Sequence, residues 1–130
     1  MIDENLNLKL TDFGFAIKVE TGDELLRMLC GTPGYMAPEM LRCACDSSSP
    51  GYSFPADIWS CGVLLVTLLT GSAPFYNRRE LIMFRMIMDA RYSLNGPEWR
   101  EISNDAKDLV QRILCLDTTK RITAKEVQIE

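Results

Sequence analysis

Asp12 is the residue whose type and position best suit catalytic chemistry in this chain. It opens the tripeptide Asp12-Phe13-Gly14 directly after a strand-like stretch, so a rigid element can aim its carboxylate. Such a carboxylate can hold a divalent metal that offsets the charge of nucleotide phosphates, and Gly14 gives the backbone freedom to swing. Alternatively, Asp12 only begins a turn after the strand, as Asp often does.

The elements that must position Asp12 and the residues after it follow from the hydrophobic pattern. Leucines alternate with polar residues over 6–11, which predicts a short strand with one face buried. Residues 15–36 show no sustained period and predict a long ordered loop. A short helix is expected over 38–42, and composition predicts a surface loop over 46–51.

A central helix is the clearest element of the second half. It is predicted over residues 55–70, with Pro55 in its first turn and Gly71 just past its end. Because this helix is apolar nearly all round, it is expected to lie in the core, surrounded by other elements. Trp59 and Trp99 are expected to be core residues.

Three further helices are indicated by capping residues and helical spacing. They are predicted over residues 78–89, residues 104–115 and the residues after 123. Asn77 and Ser103 can cap the first two, and Thr123 with Glu126 fits a capping box for the third. No linker or repeat divides the chain, so one mainly α-helical domain is expected over residues 1–130.

Composition excludes several classes of function. The net charge of −4 and the pI near 4.9 disfavour nucleic acid as a partner. The longest apolar run, residues 61–69, is too short to span a bilayer, and no basic stretch suggests membrane binding. The five cysteines are odd in number and the sequence has no histidine, so free thiols in a reducing, cytoplasmic environment are expected.

Five motifs in register carry a resemblance to serine/threonine protein kinases. They are Asp12-Phe13-Gly14, Gly31-Thr32-Pro33-Gly34-Tyr35-Met36-Ala37-Pro38-Glu39, Asp57-Ile58-Trp59-Ser60-Cys61-Gly62-Val63, Gly71-Ser72-Ala73-Pro74-Phe75 and Lys120-Arg121-Ile122-Thr123-Ala124. The set is far more specific than any one motif. The resemblance implies the C-terminal, large lobe of the kinase fold, present incompletely, and transfer of the ATP γ-phosphate to protein Ser or Thr.

Within that family the chain resembles the catalytic γ subunit of phosphorylase kinase, in the calmodulin-dependent group. The resemblance rests on residues 7–15, Ser49-Pro50-Gly51-Tyr52 and Pro97-Glu98-Trp99-Arg100. It implies glycogen phosphorylase as substrate, regulatory subunits and calmodulin as partners, and a role in glycogen breakdown.

The resemblance also implies roles for individual residues. Asp12 matches the Mg²⁺ ligand, with Phe13 packed beneath it. Thr32 matches the threonine that orients the catalytic aspartate, although it can equally be a turn residue before a proline. Gly34 and Tyr35 match residues that shape the substrate groove, and the alternative for Tyr35 is a buried aromatic.

Two matches are expected to be structural. Glu39 and Arg121 match the buried ion pair that pins the activation segment, which by this resemblance is residues 12–39, to the helical core. Asp57 matches the carboxylate that accepts hydrogen bonds from the catalytic loop, and its alternative is a charge stabilised in the first turn of a helix.

Met28 departs from the kinase pattern. Activated kinases usually carry Ser or Thr at this place in the activation segment, and the phosphorylase kinase γ subunit carries a glutamate. A methionine can neither accept phosphate nor supply charge, so the sequence leaves open how the segment is ordered.

Other parts of the kinase active site are expected upstream of this sequence. With no histidine, the printed residues hold no His-Arg-Asp loop, so the general-base Asp is absent, and Asp12 alone represents the charged ATP site. Residues 1–130 are therefore expected to be inactive alone, because phosphoryl transfer depends on positioning and electrostatics. Without its usual neighbours, the central helix is expected to expose Leu64, Leu65 and Leu68.

Three hypotheses follow for the function. The first hypothesis is that the chain is part of a kinase catalytic subunit that uses Mg²⁺ and ATP in the intact enzyme. The second is a non-catalytic helical module that docks a substrate or a regulatory subunit. The third is a pseudokinase, which the intact motif residues disfavour.

Overall fold

Helices dominate the computed structural model, which describes residues 1–20 and 24–128. The α-helices of this part of the chain are α1 Pro38–Cys45, α2 Pro55–Thr70, α3 Glu80–Met88, α4 Asn104–Ile113 and α5 Ala124–Val127. Short 3-10 helices lie at Phe13–Phe15, Pro33–Tyr35 and Pro97–Trp99. The predicted mainly α-helical fold is confirmed.

The centre of the core is α2, whose ends follow from its sequence. Pro55 stands in the first turn, where its missing N–H costs nothing. Gly71 ends the helix in the left-handed region, with φ of 75°, and its N–H donates to the carbonyl of Thr67 at 2.8 Å. The predicted bounds of the central helix are confirmed.

One face of α2 carries the tightest packing. Trp59 and Val63 are fully buried. Gly62 lies against α4 so closely that a Cβ there would stand 2.3 Å from Ile113 Cγ2 and 2.9 Å from Leu114 Cδ2. Only a residue without a side chain permits this approach of the two helices.

The opposite face of α2 is open, so the prediction of a helix surrounded on all sides is wrong. Leu64 and Leu68 are 48% and 75% exposed, which confirms the expected exposure of these two side chains. Leu65, expected to be exposed with them, is partly buried against the core. It lies between the two faces, because side chains on a helix advance by about 100° per residue.

The strand predicted over residues 6–11 is reduced to an isolated antiparallel bridge between Ile2 and Leu8. Its leucines at positions 6, 8 and 10 are each more than 80% exposed, so the predicted buried face is also wrong. A strand needs a partner to satisfy its backbone groups, and within the described residues the partner found for 6–11 is the short segment around Ile2.

Two of the three predicted helix caps are confirmed, and the third is not. Ser103 Oγ accepts from the N–H of Ala106 at 3.2 Å at the start of α4. Thr123 and Glu126 form the predicted capping box of α5. Asn77 does not cap α3 directly, because its side chain accepts from Arg79 N and forms a turn before the helix, which therefore begins later than predicted.

Neither a membrane helix nor a metal cluster is found in the described ranges. No helix within residues 1–20 and 24–128 has the length and hydropathy needed to cross a bilayer. In the same residues, no three Cys, Asp or Glu side chains come close enough together to hold a metal ion.

Candidate functional site

A tight turn precedes α1 and carries three of the residues that the sequence singled out. Pro33–Tyr35 form one turn of 3-10 helix, closed by the Tyr35 N–H to the carbonyl of Thr32 at 3.0 Å. Met36 N then donates to the carbonyl of Pro33 at 3.2 Å. We call residues 32–36 the Thr32 turn.

The Thr32 turn is fixed to α2 and to the chain that follows it. Ser60 Oγ, on the second turn of α2, donates to the carbonyl of Tyr35 at 2.8 Å. A Cβ on Gly34 would lie 3.7 Å from the carbonyl oxygen of Phe75, so the turn rests on that backbone. Met36, at its end, is buried in the core.

The side chains of the Thr32 turn remain accessible although its backbone is fixed. Thr32 is exposed, and Tyr35 is 38% exposed. The buried-aromatic alternative therefore does not describe Tyr35. A rigid backbone with accessible hydroxyl groups suits recognition of a ligand, because its geometry is set before binding.

Glu39 and Arg121 form a bidentate ion pair at the start of α1. Arg121 Nη1 lies 2.6 Å from Glu39 Oε1, and Nη2 lies 3.0 Å from Oε2. The Arg121 side chain is fully buried and that of Glu39 is 12% exposed. Two parallel charge-assisted bonds in a water-poor setting are strong and geometrically specific.

Arg121 uses its remaining donors and its ring contact to join three parts of the chain. Nε donates to the carbonyl of Cys115 at 3.0 Å, and Nη1 also donates to the carbonyl of Pro55 at 2.7 Å. The guanidinium lies 5.1 Å from the centroid of the Trp59 ring, within cation–π range. Arg121 thus ties α1 to the first turns of α2.

Asp12 lies in the N-terminal segment, where side chains are exposed. It has a left-handed backbone with φ of 63°, which Asp tolerates better than most residues. Its Oδ1 accepts from the Gly14 N–H at 3.4 Å. Phe13 is 70% exposed rather than packed beneath Asp12.

Asp12 fits one position in a magnesium site and no more. An exposed carboxylate is a suitable hard ligand for Mg²⁺, which is commonly held by one or two carboxylates together with phosphate oxygens and water. The other metal ligands would have to come from the nucleotide, solvent or residues outside this sequence.

Asp57 lies in the first turn of α2 and is exposed. The pKa of Cys61, one helical turn after Asp57, is raised by partial burial of its thiol and secondly by the negative charge of Asp57. Both alternatives for Asp57 remain open, because a helix N-terminus stabilises a carboxylate with or without a further partner.

Sequence reasoning missed two residues that shape this region, Ser60 and Tyr52. Ser60 gave no separate signal within an apolar helix, and only folding shows its hydroxyl beneath the Thr32 turn. Tyr52 is buried, and its hydroxyl donates to the main-chain carbonyl of Met28. Met28 itself is half exposed.

Comparison of the sequence with known proteins identifies the family to which this chain is similar. The family model described as "Protein kinase domain" matches residues 1–129. The liver/testis isoforms of the phosphorylase b kinase gamma catalytic chain from Bos taurus and Homo sapiens are each 48% identical to this chain over 126 residues. That match covers 97% of this chain and 31% of each relative.

A more distant relative gives the same kind of match. The probable serine/threonine-protein kinase fhkE of Dictyostelium discoideum is 38% identical over 125 residues, or 96% of this chain and 17% of that protein. The chain therefore spans about a third or less of the length of these relatives.

Proposed function

The chain belongs to the protein kinase family, and from that premise we propose that it forms the substrate-holding part of a serine/threonine kinase. Such an enzyme transfers the γ-phosphate of ATP to a protein hydroxyl. The observation that carries the proposal is the Thr32 turn, whose backbone is fixed on α2 while its side chains stay accessible.

The residues of this turn have distinct roles in the proposal. Thr32 orients the catalytic aspartate of the complete active site through its exposed hydroxyl. Gly34 and Tyr35 shape the groove for the protein substrate next to the phosphorylated residue. Glu39 and Arg121 keep the following helix in place, so that the groove does not shift relative to the core.

Asp12 is proposed to hold the magnesium ion of Mg-ATP, and Asp57 to accept hydrogen bonds from the catalytic loop. A bound magnesium ion offsets the negative charge that develops on the transferred phosphoryl group. The contribution of Asp12 is one negatively charged oxygen ligand, and Gly14 allows the backbone on either side of Phe13 to change conformation.

The type of kinase is proposed from the named relatives. Relatives called phosphorylase b kinase gamma catalytic chain match nearly the whole of this chain. We therefore propose a cytoplasmic phosphorylase kinase-like subunit that acts on phosphorylase in glycogen breakdown and associates with regulatory subunits and calmodulin.

Residues 1–130 by themselves are proposed to be inactive. Phosphoryl transfer is catalysed by several charged groups held in position together, and this sequence supplies Asp12 as one of them. Purified 1–130 is expected to show no thermal stabilisation by Mg-ATP. Clear stabilisation that disappears in an Asp12→Asn variant would contradict this proposal.

The substrate-holding role is tested in a chimera. The 126 matched residues of the human relative are replaced by those of this chain, and phosphorylation of phosphorylase b and of a serine peptide is measured. The chimera is expected to be active. Tyr35→Ala should raise the KM for the peptide about tenfold with a smaller change in kcat, since it removes groove contacts.

A matched control separates groove contacts from general damage. Phe54 is an aromatic residue that is 60% exposed and lies outside the Thr32 turn. Phe54→Ala should leave the KM within about twofold of the parent. An inactive chimera that is folded, or equal effects of the two substitutions, would overturn the proposed function.

A helical binding module without catalysis is the second candidate, and the open face of α2 favours it. Leu64 and Leu68 form an exposed apolar stripe there, and such stripes mark contact surfaces. If the chimera is inactive but residues 1–130 capture a phosphorylase kinase regulatory subunit, this second candidate replaces the first.

A further inference from the structure

The loop before α2 touches the segment that leads into the Thr32 turn. Leu26 N donates to the carbonyl of Tyr52 at 2.8 Å, and Tyr52 N donates to the carbonyl of Leu26 at 2.9 Å. This pair of bonds forms an isolated antiparallel bridge. We call residues 46–52 the clamp loop.

Arg27 extends this contact with its guanidinium. Nη2 donates to the carbonyl of Ser47 at 2.8 Å, and Nη1 donates to the carbonyl of Ser49. The clamp loop is held in shape from within, because Asp46 Oδ1 accepts from the N–H of Ser48 at 2.8 Å and from its hydroxyl at 2.7 Å. The Arg27 side chain therefore binds two backbone carbonyls of a loop that is itself held by internal hydrogen bonds.

Tyr52 supplies a contact from the buried side. Its side chain is 7% exposed, and its hydroxyl donates to the carbonyl of Met28. Burial, followed by the nearby thiols of Cys30 and Cys43 and the charge of Asp57, raises the pKa of Tyr52. The phenol therefore keeps the proton that it donates throughout the neutral range.

Gly51 allows the two segments to approach this closely. Its φ is 124°, and a Cβ there would stand 2.8 Å from Leu25 Cβ and 2.8 Å from the carbonyl oxygen of Leu26. A side chain at position 51 would push the clamp loop away from the segment.

We propose that Arg27 and Tyr52 are positioning residues that order the activation segment through main-chain hydrogen bonds, in place of a charge or a phosphate at position 28. The proposal rests on the proposed kinase function and concerns regulation of the same site. Each of the bonds that Arg27 and Tyr52 donate ends on a backbone carbonyl, so this contact needs neither phosphorylation nor an acidic residue.

The geometry links this contact to the Thr32 turn. Thr32 follows Met28 by four residues, and four residues reach at most about 14 Å. Fixing the carbonyl of Met28 therefore confines the start of the turn. At the other end, Glu39 is fixed by Arg121, and Leu25, Tyr52 and Glu39 line one cavity of about 380 Å³.

The first test is hydrogen exchange, which does not depend on activity. In the 130-residue chain and in the chimera described above, the amides of Leu26 and Tyr52 should be protected. Tyr52→Phe removes only one hydroxyl and should speed exchange over residues 25–29 about three- to tenfold, the equivalent of one lost hydrogen bond. Tyr76→Phe, at a residue 70% exposed, is the control.

The second test uses kinetics in the chimera. Arg27→Gln and Tyr52→Phe should each raise the peptide KM about three- to tenfold with less change in kcat, because the Thr32 turn is proposed to hold the peptide. Arg91→Gln, at an exposed arginine paired with Asp89, should have no effect. Treatment of the parent with a phosphatase should leave its activity unchanged.

The outcomes distinguish the two proposals. An inactive parent chimera overturns the proposed function, while exchange at residues 25–29 still decides the positioning role of Tyr52. Unchanged exchange in Tyr52→Phe, or unchanged KM in both Arg27→Gln and Tyr52→Phe, would overturn the positioning role. Loss of activity after phosphatase treatment would also overturn it, because phosphate would then be supplying the order.

Discussion

Replacing Glu39 by Gln is expected to be among the most damaging single changes of a side chain in this protein. The change keeps the shape of residue 39 and leaves Arg121, whose side chain is fully buried, with an uncompensated charge. Loss of one partner of a buried pair costs about 3–5 kcal/mol. The carbonyls of Cys115 and Pro55 and the ring of Trp59 still face the guanidinium, so the lower end, about 3 kcal/mol, is expected.

That loss is large relative to the stability of a domain of this size, typically about 5–15 kcal/mol. With an unfolding entropy of about 2 cal/mol/K per residue, it corresponds to a fall in Tm of about 10 °C. The measurement is urea unfolding of the 130-residue chain followed by tryptophan fluorescence, since Trp59 lies beside Arg121.

A double-mutant cycle separates the ion pair from general damage. Glu39→Leu and Arg121→Met should each be strongly destabilising alone, whereas the two combined should recover much of the loss, because no buried charge remains. Glu20→Gln in the exposed Lys18–Glu20 pair is the control and should change stability by less than about 0.5 kcal/mol. A loss below about 1 kcal/mol for Glu39→Gln, or additive effects in the cycle, would refute the reasoning.

Three further changes test the packing, the open helix face and the last cap. Gly62→Ala should destabilise the fold by about 1–3 kcal/mol in urea unfolding, because its Cβ would overlap Ile113. Leu68→Ser, on the open face of α2, should change stability by less than about 0.5 kcal/mol while reducing aggregation measured by light scattering. Hydrogen bonds from the side chain and backbone of Thr123 lower the pKa of Glu126 below 4.5. The stabilisation that Glu126 gives α5 is therefore complete above pH 4.5 and is lost as the pH falls through its folded-state pKa. Amide hydrogen exchange in α5 should become faster over that pH range, and the Glu126→Gln variant should not show this change.

The features that could be predicted from sequence are those fixed by neighbouring residues. Pro55 and Gly71 bound α2 because each needs only its own backbone geometry. The capping box of Thr123 and Glu126 is likewise complete within four residues. The pairing of Glu39 with Arg121 spans 82 residues, and it was predicted from family resemblance rather than from local pattern.

The features that were not predictable depend on what lies across the fold. Alternating leucines over 6–11 indicate a strand only if another strand and a packed layer receive them, whereas in the described residues they form one bridge, to Ile2, and stay exposed. Arg27 has no distinguishing local pattern, and Tyr52 stands out only within the passage that carries the family resemblance. Their bonds to the clamp loop and to Met28 join residues 20 or more positions apart. Met28 has an uncharged side chain, and its backbone carbonyl accepts the hydrogen bond from Tyr52 instead.

The start of α2 explains how residues 24–36 are held in place although they contain little regular structure. Tyr52 holds the carbonyl of Met28, Pro55 accepts from Arg121, and Ser60 holds the carbonyl of Tyr35. These three contacts lie within nine residues of one continuous segment, which the buried Trp59 and Val63 fix to the core. A shift of this segment must therefore move the contacts to Met28 and Tyr35 together with the Arg121 contact that holds Glu39. Substitutions that loosen this end of α2 should disturb the Thr32 turn even when they touch none of its residues.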